Sequence, residues 1–281
     1  MPVDPLSHLY FESYGPQDAQ SVVFLHGGGV GGWMWSKQVQ MFETEYHCLA
    51  PDLPEQGRST QSGAYSTEGA ADSIAELIHS QAPSGKAHVV GLSEGAQVLV
   101  ALLSRSPQVI DHAIVSSAML RPLPNNYLYS REVVAWSYRL FLAPFKHNNW
   151  WIRLNMHNAA GIADEYFEDF KTSFQETSEA SLVDIMVNSL KFRLPVGLEK
   201  VDLPVLVIVG SKEYKQMKQS AQDLLAVLPN ARGVIVSLGA GASLVQEHNW
   251  AMTAPQLFND TLKAWIEDLP LPPGLLPLEK A

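Results

Sequence analysis

The sequence predicts an α/β protein in which a mostly parallel sheet carries helices on both faces. Short apolar runs rich in Val and Ile recur along the chain, and amphipathic, helix-like stretches separate them. Continuous apolar strands that alternate with such helices are typical of a parallel sheet buried on both faces. The predicted strands cover residues 21–26, 47–50, 87–91, 110–116, 204–210 and 233–238.

The two ends of the chain show different patterns. Residues 8–14 alternate, with Leu9 and Phe11 on one side and polar residues on the other, which predicts an antiparallel edge strand. Near the other end, residues 255–267 predict the last helix. The proline-rich residues 269–274 predict a tail that runs over the surface.

A long segment between the fourth and fifth predicted strands breaks the alternation. Residues 121–195 contain helical patterns and many aromatic side chains but no strand-like run. Prolines such as Pro122 and Pro195 mark its borders, and proline disfavours continuation of a helix. We therefore expect a core domain of residues 1–120 and 196–281, interrupted by a helical cap of residues 121–195.

Composition excludes several classes of function. A chain of 281 residues with 46% hydrophobic residues can bury a large core. Its formal charge of −10 repels a phosphate backbone, so we expect no nucleic-acid partner. The single cysteine, Cys48, cannot form an intramolecular disulfide, which fits a reducing compartment. The lack of a cysteine cluster argues against a structural zinc site.

Targeting and membrane signals are also weak. The N-terminal residues show no positively charged segment leading into an apolar one. The apolar run at residues 133–145 is interrupted by Arg139 and is too short to cross a bilayer. We therefore expect a cytoplasmic protein without a membrane partner, present as a monomer or homodimer.

The strongest chemical signal is a G-x-S-x-G run at residues 91–95. It follows the predicted strand 87–91 and precedes a helical run at residues 96–104. The glycines permit a sharp turn between strand and helix, which leaves the central Ser93 exposed at the carboxyl end of the strand. This context predicts that Ser93 is a nucleophile, whereas a chance match would leave it an ordinary turn residue.

A second signal is the glycine run at residues 27–29, directly after the first parallel strand. Backbone N–H groups in such a run can turn inward, and two donors are needed to bind the oxyanion of a tetrahedral intermediate. Gly28 is the first candidate donor, and the N–H of Glu94 is its candidate partner.

Two other interpretations of these glycines fit less well. A phosphate-binding loop requires a lysine at a fixed spacing, and none follows within the loop. Gly27, Gly29 and Gly32 match the G-x-G-x-x-G spacing of dinucleotide-binding turns. However, no acidic residue closes a second strand at the expected distance.

A serine nucleophile needs a base, and the base needs a carboxylate that orients it. Glu213 follows the predicted strand 204–210 directly and is the candidate carboxylate, although it could also be a solvated loop residue. His248, just before the last helix, is the candidate base. A histidine at position 242 would match the commoner loop length, but that residue is Ala242. Either the loop is longer and His248 reaches the site, or the base has been lost.

With these segments in order, the chain resembles the α/β-hydrolase superfamily. Residues 26–29 look like its oxyanion loop, residues 51–59 like its P-D-x-x-G-x-G-x-S turn, and residues 91–95 like its nucleophile elbow. The chain order serine, acid, histidine is also the order that the family uses. The resemblance implies an α/β-hydrolase fold that covers nearly all of the chain except the helical insertion.

The resemblance extends to small bacterial carboxylesterase-like members, through the run from His248 to Trp250 that leads into the last helix. Two departures stand out. Glu55 and Gln56 replace the usual Gly-His, which we expect to be a structural change, and Glu213 stands where aspartate is more common.

These residues together predict a serine hydrolase that cleaves small, largely apolar, uncharged carboxylic esters through an acyl-enzyme on Ser93. Such a reaction needs no cofactor and no metal. Lactonase, amidase, carbon–carbon hydrolase and hydroxynitrile lyase chemistry are alternatives on the same fold. A ligand receptor without turnover is a further alternative, and Ala242 is the feature that favours it.

Substrate contacts are predicted from Gly29 in the oxyanion loop and from Trp136, Trp150 and Trp151 in the cap. The three tryptophans either line an apolar pocket or pack within the cap itself. Glu94 either interacts with the dipole of the helix that it begins or repels anionic substrates, and the second interpretation predicts a preference for uncharged esters.

Overall fold

The computed structural model describes residues 9–60, 65–123 and 130–279. The strands within these residues are β1 (Phe11–Tyr14), β2 (Ser21–Leu25), β3 (His47–Pro51), β4 (Ala87–Leu92), β5 (Ile110–Ser116), β6 (Val205–Gly210), β7 (Ala231–Val236) and β8 (Leu275–Pro277). They form one sheet in the order β1-β3-β2-β4-β5-β6-β7-β8. The edge strands β1 and β8 are antiparallel to their neighbours, and the strands between them are parallel.

Helices connect the parallel strands and cover both faces of the sheet. They are α1 (Ser36–Phe42), α2 (Thr67–Gln81), α3 (Glu94–Arg105), α4 (Arg131–Ser137), α5 (Asn149–Asn155), α6 (Phe167–Glu176), α7 (Glu179–Lys191), α8 (Lys215–Val227), α9 (Leu244–His248), α10 (Trp250–Thr253) and α11 (Pro255–Ile266). Among the described residues, no helix combines the length and apolar character that crossing a bilayer requires.

This architecture confirms the predicted fold class. Each predicted parallel strand is present within two residues of its predicted ends. The strand β8, which follows the proline-rich tail, was not predicted; it has only three residues and pairs with β7. Residue 8 of the predicted edge strand and residues 124–129 of the predicted cap lie outside the described residues.

The order in which successive strands are placed in the sheet reverses at β2. The strand β3 lies on one side of β2 and β4 lies on the other. The connections that leave β2 and β4 therefore diverge, which opens a crevice at the carboxyl ends of these two strands. Both glycine-rich segments found in the sequence begin at this crevice.

Alternate residues of each parallel strand belong to separate hydrophobic clusters on the two faces of the sheet. Val23 and Val89 pack with residues of α2, α3 and α8, whereas Val22 and Val90 pack with residues of α1 and α11. Cys48 of β3 is fully buried in the second cluster, and burial raises the pKa of its thiol to about 12. The strands are apolar throughout because both of their faces are buried.

The helices between β5 and β6 contact loops at the carboxyl ends of the strands. The Trp33 Nε1 group, in the connection after β2, donates to Ser173 Oγ of α6 at 3.0 Å. Ser181 Oγ of α7 donates to Glu55 Oε2, in the connection after β3, at 3.1 Å. These contacts support the proposed division in which residues 121–195 form a cap over this edge of the sheet.

Close packing between α3 and β2 depends on Gly95, because a Cβ there would lie 2.2 Å from the Leu25 carbonyl oxygen. We predict that Gly95→Ala lowers the free energy of unfolding by at least about 2 kcal/mol, since backbone atoms must move to admit the methyl group. Gly241→Ala is the matched control, as no atom lies within 4 Å of its Cβ position. Urea unfolding should leave that control within about 1 kcal/mol of the parent. Equal stability of the two variants would contradict the packing argument.

Candidate active site

Ser93 lies at the sharp turn between β4 and α3. Its backbone has φ 57° and ψ −111°, a conformation that non-glycine residues rarely adopt. The turn is held by the Ser93 N–H, which donates to the Ser116 carbonyl of β5 at 2.9 Å. A Cβ at Gly91 would lie 2.4 Å from the Gly95 carbonyl oxygen, so the turn requires glycine there as well. The motif therefore has the strained strand-turn-helix context that its sequence predicts.

Glu213 and His248 are brought together by the connections that follow β6 and β7. The His248 Nδ1 atom lies 2.8 Å from Glu213 Oε1, and the Glu213 side chain is completely buried. A carboxylate can only accept, so Nδ1 carries the proton and Nε2, on the opposite side of the ring, has a free lone pair. Ser117 Oγ donates to the same Oε1 atom at 2.6 Å. The carboxylate is thus held from two directions.

The long loop before His248 is held in place by Glu247 and Lys212. The buried Glu247 carboxylate accepts from Ser211 Oγ, from the Lys212 N–H at 2.7 Å and from the Leu238 N–H at 3.2 Å. The Lys212 ammonium donates to carbonyl oxygens of the loop, including that of Ala242. With the loop held in this way, His248 reaches Glu213 without a histidine at position 242.

Ser93, His248 and Gly28 all line one cavity of about 470 Å³, here called the Ser93 cavity. Gly27 also lines it, and a Cβ at Gly27 would lie 3.7 Å from the Ser93 Cβ. The candidate nucleophile, base and oxyanion loop therefore meet at the crevice beside β2 and β4.

The candidate oxyanion loop after β2 is anchored by His26. Its buried ring donates from Nδ1 to the Gly27 carbonyl at 2.7 Å and accepts at Nε2 from the Leu53 N–H at 2.8 Å. This pattern requires a neutral ring, and burial lowers the pKa of His26 accordingly. His26 thus ties the loop after β2 to the loop after β3.

Gln56 joins the oxyanion loop to the residue after Ser93. Its Oε1 accepts from the Gly29 N–H at 2.9 Å, and its Nε2 donates to Glu94 Oε1 at 2.8 Å. The Gly29 N–H is therefore occupied, which leaves Gly28 as the candidate donor in this loop. The second candidate, the Glu94 N–H, belongs to the first residue of α3 and has no carbonyl of its own helix to bond. This explains in structural terms why glutamine stands at position 56.

Glu94 is buried, although the sequence also permitted a position at the surface. Its Oε2 atom lies 2.6 Å from the position that a Cβ at Gly28 would take. Burial raises the pKa of Glu94 to about 7, and the hydrogen bond from Gln56 opposes part of that rise. A titrating carboxylate therefore lies directly behind the candidate oxyanion loop.

A second cavity, of about 790 Å³ and here called the cap cavity, adjoins the Ser93 cavity through shared lining residues Gly28 and Val30. Gly29, which the sequence predicts to contact substrate, is one of its lining residues. Its cap side is formed mainly by aromatic and aliphatic side chains: Tyr138, Leu142, Phe170, Phe174 and Leu182. An apolar wall next to the candidate nucleophile is suited to an apolar part of a ligand.

The structure does not bring the three tryptophans named from the sequence to this wall. The Trp136 and Trp150 side chains are 61% and 68% exposed. Trp151 packs on Phe145, with ring centroids 4.8 Å apart, and on Trp150. Of the helices that carry these tryptophans, α5 contributes Asn155 to the cap cavity, and no residue of α4 is among the described residues that line it, which spacing alone could not distinguish.

A parallel sheet with a strained serine turn and a histidine–carboxylate pair at one edge is the framework of the α/β hydrolases. The family model described as the alpha/beta hydrolase family matches residues 22–261. The chain belongs to this family.

Relatives within the family have different named activities. A carboxylesterase of Bacillus subtilis is 25% identical over 231 residues, which cover 79% of this chain and 74% of that protein. A putative carbamate hydrolase of a Caulobacter species is 26% identical over 266 residues, covering 89% and 92%. An esterase from Thermogutta terrifontis has a similar structure, with a TM-score of 0.72 and 20% identity over 92% of this chain and 93% of that one. The last similarity is one of fold.

Several residues that organise the site were not found from the sequence. No sequence motif marks Ser117, Glu247 or Lys212. Their contacts join loops that follow different strands, so they are visible only in the folded structure. In the structure, Ser117 has an unusual positive φ of 61° directly after β5. Gln56 was noticed as a departure from the family pattern, but its link between Gly29 and Glu94 requires the fold.

The buried Glu94 predicts a pH dependence of stability. Because its folded-state pKa of about 7 exceeds the ordinary value of 4.5, its contribution to stability is full below pH 4.5 and is lost as pH rises through about 7. We predict that Glu94→Gln gains stability relative to the parent over this range, by up to about 3 kcal/mol, and that the gain levels off above it. Urea unfolding at several pH values measures the difference. The exposed Glu199→Gln is the control and should show a flat difference, and a flat difference for Glu94→Gln would contradict the prediction.

Proposed function

We propose that the protein is a serine hydrolase that cleaves small, largely apolar, uncharged carboxylic esters through an acyl-enzyme on Ser93. The observation that carries the proposal is the 2.8 Å contact between His248 Nδ1 and the buried Glu213, with His248 and Ser93 lining one cavity. A histidine held in this tautomer is the base that a serine nucleophile requires.

In the first half of the reaction, His248 Nε2 takes the Ser93 proton while Ser93 Oγ attacks the ester carbonyl. The carbonyl oxygen becomes an oxyanion that the N–H groups of Gly28 and Glu94 stabilise, and one such donor is worth about 3 kcal/mol. Glu213 stabilises the imidazolium, and its complete burial makes that interaction strong. His248 then gives the proton to the leaving alcohol, and the carbonyl re-forms as an acyl-enzyme.

In the second half, His248 takes a proton from water, which attacks the acyl carbonyl. The resulting tetrahedral intermediate uses the same two donors, and its collapse returns the proton to Ser93 and releases the acid. The Ser93 turn supports both halves because its strained backbone holds Oγ at the crevice.

The cap cavity supports the apolar part of the substrate proposal. It adjoins the Ser93 cavity at Gly28 and Val30, and its cap side is mainly apolar. Lys146, the one cationic residue among the described residues that line it, donates to the carbonyls of Gln175 and Thr177. The ammonium is therefore engaged by protein acceptors, and Glu94, which is partly ionised near neutral pH because burial raises its pKa to about 7, disfavours a negatively charged substrate. These features favour uncharged esters.

The decisive experiment tests Ser93 and His248 directly. We expect a fluorophosphonate to label one serine per chain and a p-nitrophenyl ester to give a burst of product. Ser93→Ala should abolish labelling, and Ser93→Ala or His248→Ala should lower kcat by about 10⁴-fold or more. Glu213→Gln should lower kcat by roughly 10³–10⁴-fold, because the amide favours the wrong tautomer.

Ser104→Ala is the matched control. Ser104 lies at the end of α3, where its Oγ donates a hydrogen bond to the Val196 carbonyl at 2.8 Å, and it does not line either cavity. It should retain full activity. If the parent shows neither labelling nor a burst, the proposal is wrong, and a ligand receptor on this fold becomes the favoured alternative. An active His248→Ala would refute the assigned base.

The cap cavity predicts selectivity for acyl chain length. Leu142→Trp places a larger side chain in the cavity wall and should lower kcat/KM for octanoyl esters at least 10-fold relative to acetyl esters, an expectation of about 1.4 kcal/mol. Leu140→Trp is the control, because Leu140 lies two residues away and its side chain is 43% exposed. A p-nitrophenyl ester series measures both variants. Equal chain-length profiles would show that the cavity does not hold the acyl group.

A further inference from the structure

A second group of chemically competent side chains lies at the opposite end of the sheet from Ser93. His88 is the second residue of β4, and Asp111 and His112 are the second and third residues of β5. The pairing of the two strands is irregular at this point, since Ala87 pairs with Ile110 and Val89 with Ala113. One residue of β4 therefore faces two residues of β5, and such irregularities redirect side chains.

The three side chains converge on one point. His88 Nδ1 and His112 Nδ1 each lie 3.8 Å from Asp111 Oδ2, and one ligand atom from each residue lies within 4.8 Å of the others. Neither imidazole makes a hydrogen bond to a described residue. His88 is only 1% exposed, so its ring nitrogens are buried polar atoms without a partner among those residues. Such atoms are rare in folded proteins and call for an explanation.

We propose that His88, Asp111 and His112 bind a divalent first-row transition metal ion, with Zn²⁺ as the representative case. Two imidazoles and one carboxylate are ligands that suit zinc and its neighbours, whereas calcium and magnesium prefer oxygen alone. Metal–ligand bonds of about 2.1 Å in a tetrahedral site separate the ligand atoms by about 3.4 Å. Two of the observed separations are 3.8 Å and the third lies within 4.8 Å, so side-chain rotations must bring the ligand atoms closer together to reach that value.

The surroundings of the cluster match what metal ligands require. His112 Nε2 lies 3.6 Å from Asp268 Oδ1, just beyond hydrogen-bond distance, so a small rotation of the exposed Asp268 side chain would let the ring donate to it while Nδ1 binds the ion. Gln20 Nε2 donates to Asp111 Oδ2 at 2.7 Å, which orients the carboxylate. Such outer partners fix the tautomer and orientation of ligands.

Access to the site is also suitable. The Asp111 side chain is 40% exposed, which leaves a path for the ion and room for a water ligand. The sequence argued against a structural zinc site because it lacks a cysteine cluster, and the proposed site departs from that expectation by using histidine and aspartate ligands.

Titration of the full-length, tag-free, chelator-treated protein with Zn²⁺ at pH 7 tests the proposal. We expect one equivalent to bind by calorimetry and to raise the unfolding temperature. Asp111→Asn, which retains an acceptor for Gln20, and His112→Gln should each weaken binding at least 10-fold. Asp268→Asn should weaken it about 10-fold through the His112 ring. Circular dichroism and the unfolding temperature without zinc establish that each variant is folded.

His157→Gln is the matched control, because His157 also lies near an aspartate, with Nε2 3.4 Å from Asp164 Oδ1, but on the exposed cap surface. It should bind zinc as the parent does. The proposal is wrong if the parent binds no zinc at submillimolar concentration or if Asp111→Asn and His112→Gln bind as tightly as the parent. It is also wrong if His248→Ala, rather than these variants, removes binding, since the ion would then occupy the candidate active site.

Discussion

The contact between α3 and the end of β2 is the constraint on which the rest of the site depends. Because Gly95 has no side chain, α3 begins directly against the carbonyls of Leu25 and His26. The same approach sets Ser93 beside Gly27 at the point where the chain reverses across the sheet. The helix α3, the serine turn and the glycine loop therefore pack directly against one another. Displacement of α3 would separate the candidate nucleophile from the candidate oxyanion loop.

Buried carboxylates organise this edge of the sheet, and each is held by different donors. Glu247 accepts backbone and hydroxyl hydrogens, Glu213 accepts from His248 and Ser117, and Glu94 accepts from Gln56. Gly210 lets the first two pack together, since a Cβ there would lie 3.0 Å from Glu247 Cβ and 3.2 Å from Glu213 Cγ. Buried charge is costly without hydrogen-bond donors, so these contacts favour this arrangement of the loops, although Glu213 Oε2 has no hydrogen-bond partner among the described residues.

The sequence predicted the parallel strands because burial on both faces makes them continuously apolar, and it predicted Ser93 because a strained turn needs its two glycines. It also predicted that Glu213 and His248 act together, and the structure has their side chains in contact. It could not decide whether the loop at Ala242 lets His248 reach Glu213, since Lys212 and Glu247 hold that loop through contacts between distant segments. The tryptophans of the cap show the same limit: helical spacing does not reveal which face a neighbouring loop will cover.

The burial of Cys48 makes the folded chain inert toward thiol reagents. A thiol that is fully enclosed in the core and has a pKa of about 12 carries almost no thiolate at neutral pH. In the native state the protein thus has no reactive cysteine thiol. A single cysteine introduced on the cap surface could therefore carry a spectroscopic label while Cys48 stays unmodified. Conversely, modification of Cys48 itself would report transient opening of the sheet.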